Sequence, residues 1–595
     1  MTTTAPPPEP EPVQRHDRSS RSRLVPPMPT PGWAGWLGAV VLALFAGALR
    51  FIRLGEPAEI YFDETYYAKD AYSLWRFGYE RETVDNADDL LARGVSDIWT
   101  GDPSFVVHPP LGKWMIAAGD WLWGLLPFQT SMSPEGWRAA AALFGALSVF
   151  LLVRVALRMT RSWLLGCTAG LVLALDGLHF TMSRIAMVDI FLTFWILAGF
   201  ACLVVDRDRA RERLADLVDS GAAHAAVGWL GVRWWRVGAG VCLGLACGTK
   251  WSAVFFVAAF GLLTVAWDYG ARRRFAQQWG RWLLLDAVPA FFQIVGVALV
   301  TYVATWSGWL FTSGGYGRQW GTENPGGVIS AMPEVLQAPL NALRNLFYYH
   351  WDILSFHTDL DASHDYASGP AQWLIMRTPV AFYYEGDGSG CDATSCSSAI
   401  LNIGTPAVWW LGVIAALVML AWWVTYRDWR AGSVLLGLAA GWLPWFAFPD
   451  RTMFVFYALP VLPFVVLAIV LMLGLVIGRA WERPPYWGRG WLAAGALQGV
   501  VVLLVIINVL RLALSGPEAH FGWMWILAAS LQVVVLLIAV PLLLTSQWGP
   551  VVGGVVYGVA LLLVIANFAY LYPVLSAETI PYGAWEERMW FETWI

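Results

Sequence analysis

The sequence predicts an all-α, polytopic membrane protein, and three features carry that expectation. Apolar residues make up 58% of the chain and charged residues only 14%, against about 25% charge in an average soluble domain. Mean hydropathy is +0.54, and apolar runs close to the ~20 residues that a bilayer core requires recur from Trp33 onward. Lys and Arg collect in alternate short connections, the pattern of cytoplasmic loops.

Taken in order, residues 1–32 are rich in Pro, Ser, Thr and Arg and carry too little apolar surface to fold, so they read as a disordered cytoplasmic tail. The run from Trp33 has no small-residue cleavage site of the usual kind and is expected to remain as the first span rather than to be removed as a signal peptide. Thirteen candidate spans fall at roughly 33–52, 137–155, 162–179, 189–205, 234–249, 251–267, 282–306, 406–425, 432–447, 452–478, 490–513, 522–544 and 551–570. With a cytoplasmic N-terminus, the clusters Arg154–Arg161, Arg207–Arg236, Arg272–Arg281, Arg427–Arg430 and Arg479–Arg489 all lie on the cytoplasmic side. Loops 53–136 and 307–405 and the tail 571–595 then lie outside together, and the chain divides into an N-terminal transmembrane module, 33–306, and a C-terminal one, 406–570. The stretch Leu111–Leu126 is apolar enough to imitate a span, but it is short and contains Asp120, and counting it would place the Arg clusters outside. It is therefore read as a juxtamembrane helix.

A formal net charge of −5 with no basic stripe argues against a nucleic-acid partner. The absence of any Walker-type or dinucleotide glycine motif argues against an ATP-driven pump. Cys167, Cys202, Cys242 and Cys247 fall in apolar runs and read as small buried hydrophobes. Cys391 and Cys396 lie in a polar, Gly-rich outer loop, where a disulfide is preferred over zinc and implies an oxidising compartment. Most of the 38 Trp are expected in interfacial aromatic belts, with Trp114 and Trp373 as candidates for stacking on a sugar.

Chemistry is expected where the first span ends. In Ile60-Tyr61-Phe62-Asp63-Glu64-Thr65-Tyr66-Tyr67, two adjacent carboxylates sit among aromatics at the membrane boundary, an expensive place for charge. His108-Pro109-Pro110-Leu111-Gly112-Lys113 lies further along the same loop, Arg138 opens the second span, and the 177–189 connection returns Arg184 and Asp189 to the same face. Each cation also has a plain reading as a snorkelling helix anchor, and Asp63 and Asp189 as helix caps. No cofactor is assigned. His350 and His357, seven apart, would share a helix face, but Phe347, Trp351 and Phe356 beside them favour an aromatic patch over a divalent metal.

These motifs, in this order, resemble the protein O-mannosyltransferase family, membrane glycosyltransferases of the GT-C fold that take mannose from a polyprenyl-phosphate lipid. The Phe62–Tyr67 acidic motif, the His108–Lys113 motif, Arg184 with Asp189, His364-Asp365-Tyr366-Ala367-Ser368 with Trp373 and Arg377-Thr378-Pro379-Val380, and Arg451, Phe454 and Tyr457 carry the resemblance along most of 50–460. Loop 307–405 has no room for the lumenal β-trefoil of eukaryotic members, and the Pro/Arg-rich tail suits the actinobacterial branch.

The resemblance implies inverting transfer of mannose to Ser or Thr hydroxyls of secreted or membrane proteins. A phosphate leaving group needs charge stabilisation more than an acid, while a hydroxyl nucleophile needs a base. Asp63 is expected to be that base and Glu64 to orient the site. Lys113, Arg138, Arg184 and His108 are expected to contact phosphate or sugar, with Asp189 pairing Lys113 or Arg184. His364, Tyr366, Trp373 and Arg377 are candidate donor or acceptor contacts. The expected partners are the lipid donor, a flexible acceptor polypeptide, the bilayer and protein-secretion machinery. A GT-C enzyme acting on a glycolipid or cell-wall polysaccharide is the nearest alternative, and a transporter or lipid flippase the alternative of another class.

Overall fold

The computed structural model describes residues 32–127, 129–219, 228–275, 279–324, 327–478 and 549–595. Eight of its helices are long and apolar enough to cross a membrane. At 1.5 Å per residue, about 20 residues cover the ~30 Å hydrocarbon core, and a helix satisfies its own backbone there. They are α1 (Gly32–Phe51), α4 (Pro134–Thr160), α7 (Asp189–Asp219), α9 (Ala253–Phe275), α10 (Leu283–Thr305), α12 (Pro406–Tyr426), the Val455–Ile477 segment that ends in α14 (Leu462–Ile477), and α15 (Gly549–Leu575). Shorter apolar helices complete the bundle: α5 (Trp163–Ala174), α8 (Trp234–Cys247) and α13 (Trp429–Trp442). The eleven expected spans within the described residues thus coincide with helical backbone; those at 490–513 and 522–544, like the tail before Gly32, lie outside the described residues.

The expected spans 162–179, 234–249, 432–447 and 452–478 differ from the helices observed, each for a local reason. Asp176 breaks the first, accepting a bond from the backbone of His179 to start the short helix α6 (Gly177–Met182). The second stops at Gly248. The third continues beyond α13 as a 3-10 turn over Leu443–Ala447, which contains Pro444. A further 3-10 turn, Val455–Val461 with Pro460 inside it, precedes α14.

Between α1 and α4 the chain forms α2 (Glu64–Phe77), an antiparallel pair β1 (Arg81–Thr83) and β2 (Trp99–Pro103), and α3 (Leu111–Gly124), the helix that imitated a span. α3 packs on α2 and α4. Loop 307–405 carries α11 (Glu334–Asp359) and the strands β3 (Val380–Gly388) and β4 (Cys396–Asn402). With β5 (Ile580–Pro581) these form a sheet in the order β3-β4-β5. Cys391 and Cys396 are disulfide-bonded at the turn between β3 and β4.

The core runs along the bundle through α4, α7 and α14, whose Leu, Ile, Val and Phe side chains are almost wholly buried. Charge is segregated to its two ends. At the end holding the Arg-rich connections, Arg233 pairs with Asp206 and Asp268, Arg236 with Asp268, Arg272 with Asp286, and Arg158 with Asp208. These ions are mostly buried, so each depends on its partners. Replacing Asp268 by Ala strips both Arg233 and Arg236 of a carboxylate and is expected to cost about 3–5 kcal/mol, read as a lower denaturation midpoint of the purified protein in detergent. An unchanged midpoint contradicts the pairing.

Candidate active site

At the opposite end, the turn that enters α2 separates two neighbouring carboxylates. Phe62 adopts φ +54, a left-handed conformation unusual for a bulky residue. Its ring packs on Phe382 with centroids 4.4 Å apart and on Phe456 at 6.0 Å. Asp63 stands at the N-cap position but makes no cap hydrogen bond with its side chain, so capping does not account for it. Glu64, the first helical residue, points the other way and is completely buried.

Glu64 accepts two bonds from Arg138, at 2.8 Å from Nε and 2.8 Å from Nη2, and a third from the backbone of Ala186 at 3.0 Å. The remaining Arg138 donors go to the carbonyls of Leu54 at 3.1 Å, Pro57 at 2.9 Å and Glu59 at 2.7 Å. All five guanidinium N–H groups are then used, and the expected phosphate contact at Arg138 is corrected to a structural one. The same holds for the other two expected cations. Arg184 donates to the carbonyls of Arg50 at 2.8 Å, Ile52 at 2.6 Å and Arg53 at 2.8 Å, closing the C-terminal end of α1. Lys113 is buried against Glu80, with Asp70 3.7 Å away.

Asp63 faces different company. Burial pushes its carboxyl up from the usual 3.8 to about 6, with Lys250 pulling the other way and Asp189 adding to the rise. Asp189, expected to hold Lys113 or Arg184, instead pairs with Lys250 at 2.9 Å, and its second oxygen has no partner. Burial works against the Lys250 ammonium, but Asp189, Tyr457 and Asp63 outweigh it and hold the group above its ordinary value. Lys250 also lies 4.6 Å from the Tyr457 ring centroid. Tyr67 borders the same cluster, its phenol held well above the usual range by burial and then by Asp63 and Asp189.

His108 joins this cluster from the other side, its ring stacked between Tyr67 at 6.3 Å and His357 at 5.6 Å. Burial, then Lys250, His357, Lys113 and Arg451, keep it neutral well below the usual histidine range. His357 donates from Nε2 to the Val107 carbonyl at 3.0 Å and accepts from Arg451 at Nδ1, at 3.2 Å; burial and Arg451 lower it to about 4. The shared face expected for His350 and His357 does not make a metal pair. His350 donates to Leu346 and accepts from Tyr302 at 2.5 Å, and among the described residues no group of three or more metal-ligating side chains is placed for an ion.

Sequence reasoning missed Lys250 and left Arg451 out of the candidate set. Their signal was present: a solitary lysine in Gly248-Thr249-Lys250-Trp251, in a connection that alternation puts opposite the Arg clusters, and Arg451 among the residues of the family pattern. Of the remaining candidates, His364 packs on Phe454 at 5.1 Å and accepts from the Tyr366 backbone. Ser368 binds Met453, so this loop is tied to the segment bearing Arg451. Trp373 is fully buried and donates to Ser368, which removes it as a surface for sugar stacking. Arg377 is exposed, and its carbonyl accepts from Thr593, near the chain terminus and away from Asp63.

A family model described as dolichyl-phosphate-mannose-protein mannosyltransferase matches residues 92–269, and one described as the C-terminal four-transmembrane region of protein-O-mannosyltransferase matches 342–594. The chain is 36% identical to a polyprenol-phosphate-mannose–protein mannosyltransferase of Mycolicibacterium smegmatis, over 84% of this chain and 90% of the relative. It is 33% identical to that of Mycobacterium tuberculosis, over 94% of this chain and 92% of the relative. Its fold is similar to that of the Saccharomyces cerevisiae protein O-mannosyltransferase Pmt1-Pmt2 complex bound to the sugar donor, with a TM-score of 0.62 at 13% identity, covering 95% of this chain and 93% of that one.

The two neighbouring carboxylates are expected to respond in opposite ways to loss of charge. Glu64→Gln or Arg138→Lys leaves a buried ion short of its partner and is expected to cost about 3–5 kcal/mol. Asp63→Asn removes a carboxylate whose ionisation the fold opposes, so its stability advantage over wild type should grow as pH rises from about 4 through 6. Denaturation midpoints of the variants across pH 4–8 check both; an Asp63→Asn advantage that shrinks with rising pH contradicts the assignment.

Proposed function

The chain belongs to the dolichyl-phosphate-mannose-protein mannosyltransferase family, and we propose that it transfers one mannose from a polyprenyl-phosphate-mannose to Ser or Thr hydroxyls of polypeptides. Asp63 is the base. The observation that carries this reading is the isolation of the Asp63 carboxylate, with no structural bond of its own, beside Lys250 and Asp189. A carboxylate that ionises near pH 6 is charged at neutral pH yet retains a stronger pull on a proton than an ordinary Asp.

In the reaction the acceptor oxygen attacks C1 of mannose as the bond from C1 to the phosphate oxygen breaks. The hydroxyl proton goes to Asp63, and the electron pair leaves with the lipid phosphate. Attack opposite the leaving group inverts the anomeric centre. The developing phosphate charge needs fixed positive groups rather than a proton donor. Lys250 and Arg451 fit that task, since both border His108. His108 stays neutral there and serves as a hydrogen-bonding wall. This reassigns the phosphate role expected of Lys113, Arg138 and Arg184, whose positive charges fix the scaffold.

The cell membrane is the proposed location, with the N-terminus cytoplasmic and the Asp63 end outside. The Arg clusters at the far end support that orientation. The division into modules 33–306 and 406–570 around the outer loop 307–405 is kept on the same grounds.

In liposomes carrying labelled polyprenyl-phosphate-mannose, the wild type is expected to label a Thr/Pro-rich peptide and Asp63→Asn to fall by at least about a hundredfold. The wild-type rate should rise through an ionisation near pH 6 as Asp63 loses its proton. Full activity of Asp63→Asn rejects the base. Labelling of glycolipid or polysaccharide but of no peptide favours the alternative acceptor class, and movement of substrate without bond formation the transporter.

A further inference from the structure

Beside the turn that carries Asp63 runs an open cleft of about 500 Å³, walled by Pro57, Ala58 and Glu59 on one side and Tyr383, Tyr384 and Glu385 on the other. The second wall belongs to β3, an edge strand: β4 pairs with one of its edges, and among the described residues no strand pairs with the other. The first wall is fixed, because Arg138 holds the carbonyls of Pro57 and Glu59. At one end of the cleft Tyr383 meets Tyr61 at 6.3 Å, and Phe382 meets Phe62, the residue before Asp63.

An unpaired strand edge of nine residues rich in aromatics invites another chain. Resting on the function proposed above, we infer that the acceptor polypeptide binds here as an added strand, pairing its backbone with β3 so that its Ser or Thr is led past Phe382 to Asp63. Two constraints favour this occupant. A neighbouring strand lies about 4.8 Å from its partner and adds main-chain bonds that do not depend on side chains, which suits an enzyme whose acceptors share only a hydroxyl. The exposed carboxylates of Glu59 and Glu385 stand on opposite walls and favour a segment with Lys or Arg beside the hydroxyl residue over an acidic one.

The test is a backbone N-methyl scan of a Lys-flanked Thr peptide, with mannose transfer by the full-length wild type in liposomes as the readout. N-methylation at alternate residues, whose N–H groups face β3, should raise KM about five- to tenfold, while the residues between them change it little. E59K/E385K should raise KM for the Lys-flanked peptide and lower it for a Glu-flanked one, with kcat for the two peptides moving together. A scan without period two, or a charge reversal that leaves the peptide preference as it was, overturns the strand pairing even where transfer is intact. Failure of the wild type to label any Thr peptide overturns the functional reading, and this inference with it.

Discussion

The outer end of this protein depends on one buried ion pair. Glu64 and Arg138 are both completely enclosed, and removing two such charges from water costs several kcal/mol per ion unless geometry and further bonds offset it. Here they do. The pair is bidentate, Glu64 also takes the Ala186 N–H, and Arg138 spends its other donors on three carbonyls of the 54–59 turn. The Tyr61 ring lies 4.5 Å from the guanidinium as well. One contact thereby ties together the start of α2, the first turns of α4, the approach to α7 and one wall of the cleft.

That lock determines which charges are free to work. Arg184 is spent on the end of α1 and Lys113 on Glu80, so each of the three cations nearest the acidic motif in sequence is structural. What faces Asp63 comes from afar: Asp189 at the start of α7, Lys250 after α8, and Tyr457 just before α14. Burial raises the carboxyl while the ammonium restrains the rise, and the balance falls near pH 6. A base for a neutral hydroxyl needs that compromise, since complete burial would keep it protonated and full exposure would leave it weak.

Much of this was legible in the sequence. Span positions followed from apolar length, because a membrane helix must satisfy its own backbone across a fixed thickness. The acidic pair stood out because charge there is costly, but which member works did not. Neighbours on a helix point about 100° apart, so one of Asp63 and Glu64 turns inward and the other does not. Arg138 drew attention for a charge whose partner, Glu64, lies 74 residues away. Trp373 and Lys250 mislead in opposite directions for the same reason. One is aromatic in a motif and entirely buried, the other a single lysine between two apolar helices at the centre of the charge cluster. Periodicity and composition report local structure, whereas these roles are set by contacts between distant segments.

The claim that Asp63 accepts the proton while Lys250 governs its ionisation is tested most directly by the pH dependence of single-turnover mannose transfer in wild type and Lys250→Gln. The structure places the acidic limb of the wild type near pH 6. Because Lys250 lowers the Asp63 pKa, its loss should move that limb to higher pH, whatever it does to the maximal rate. A limb that stays where it was, or moves to lower pH, contradicts the account.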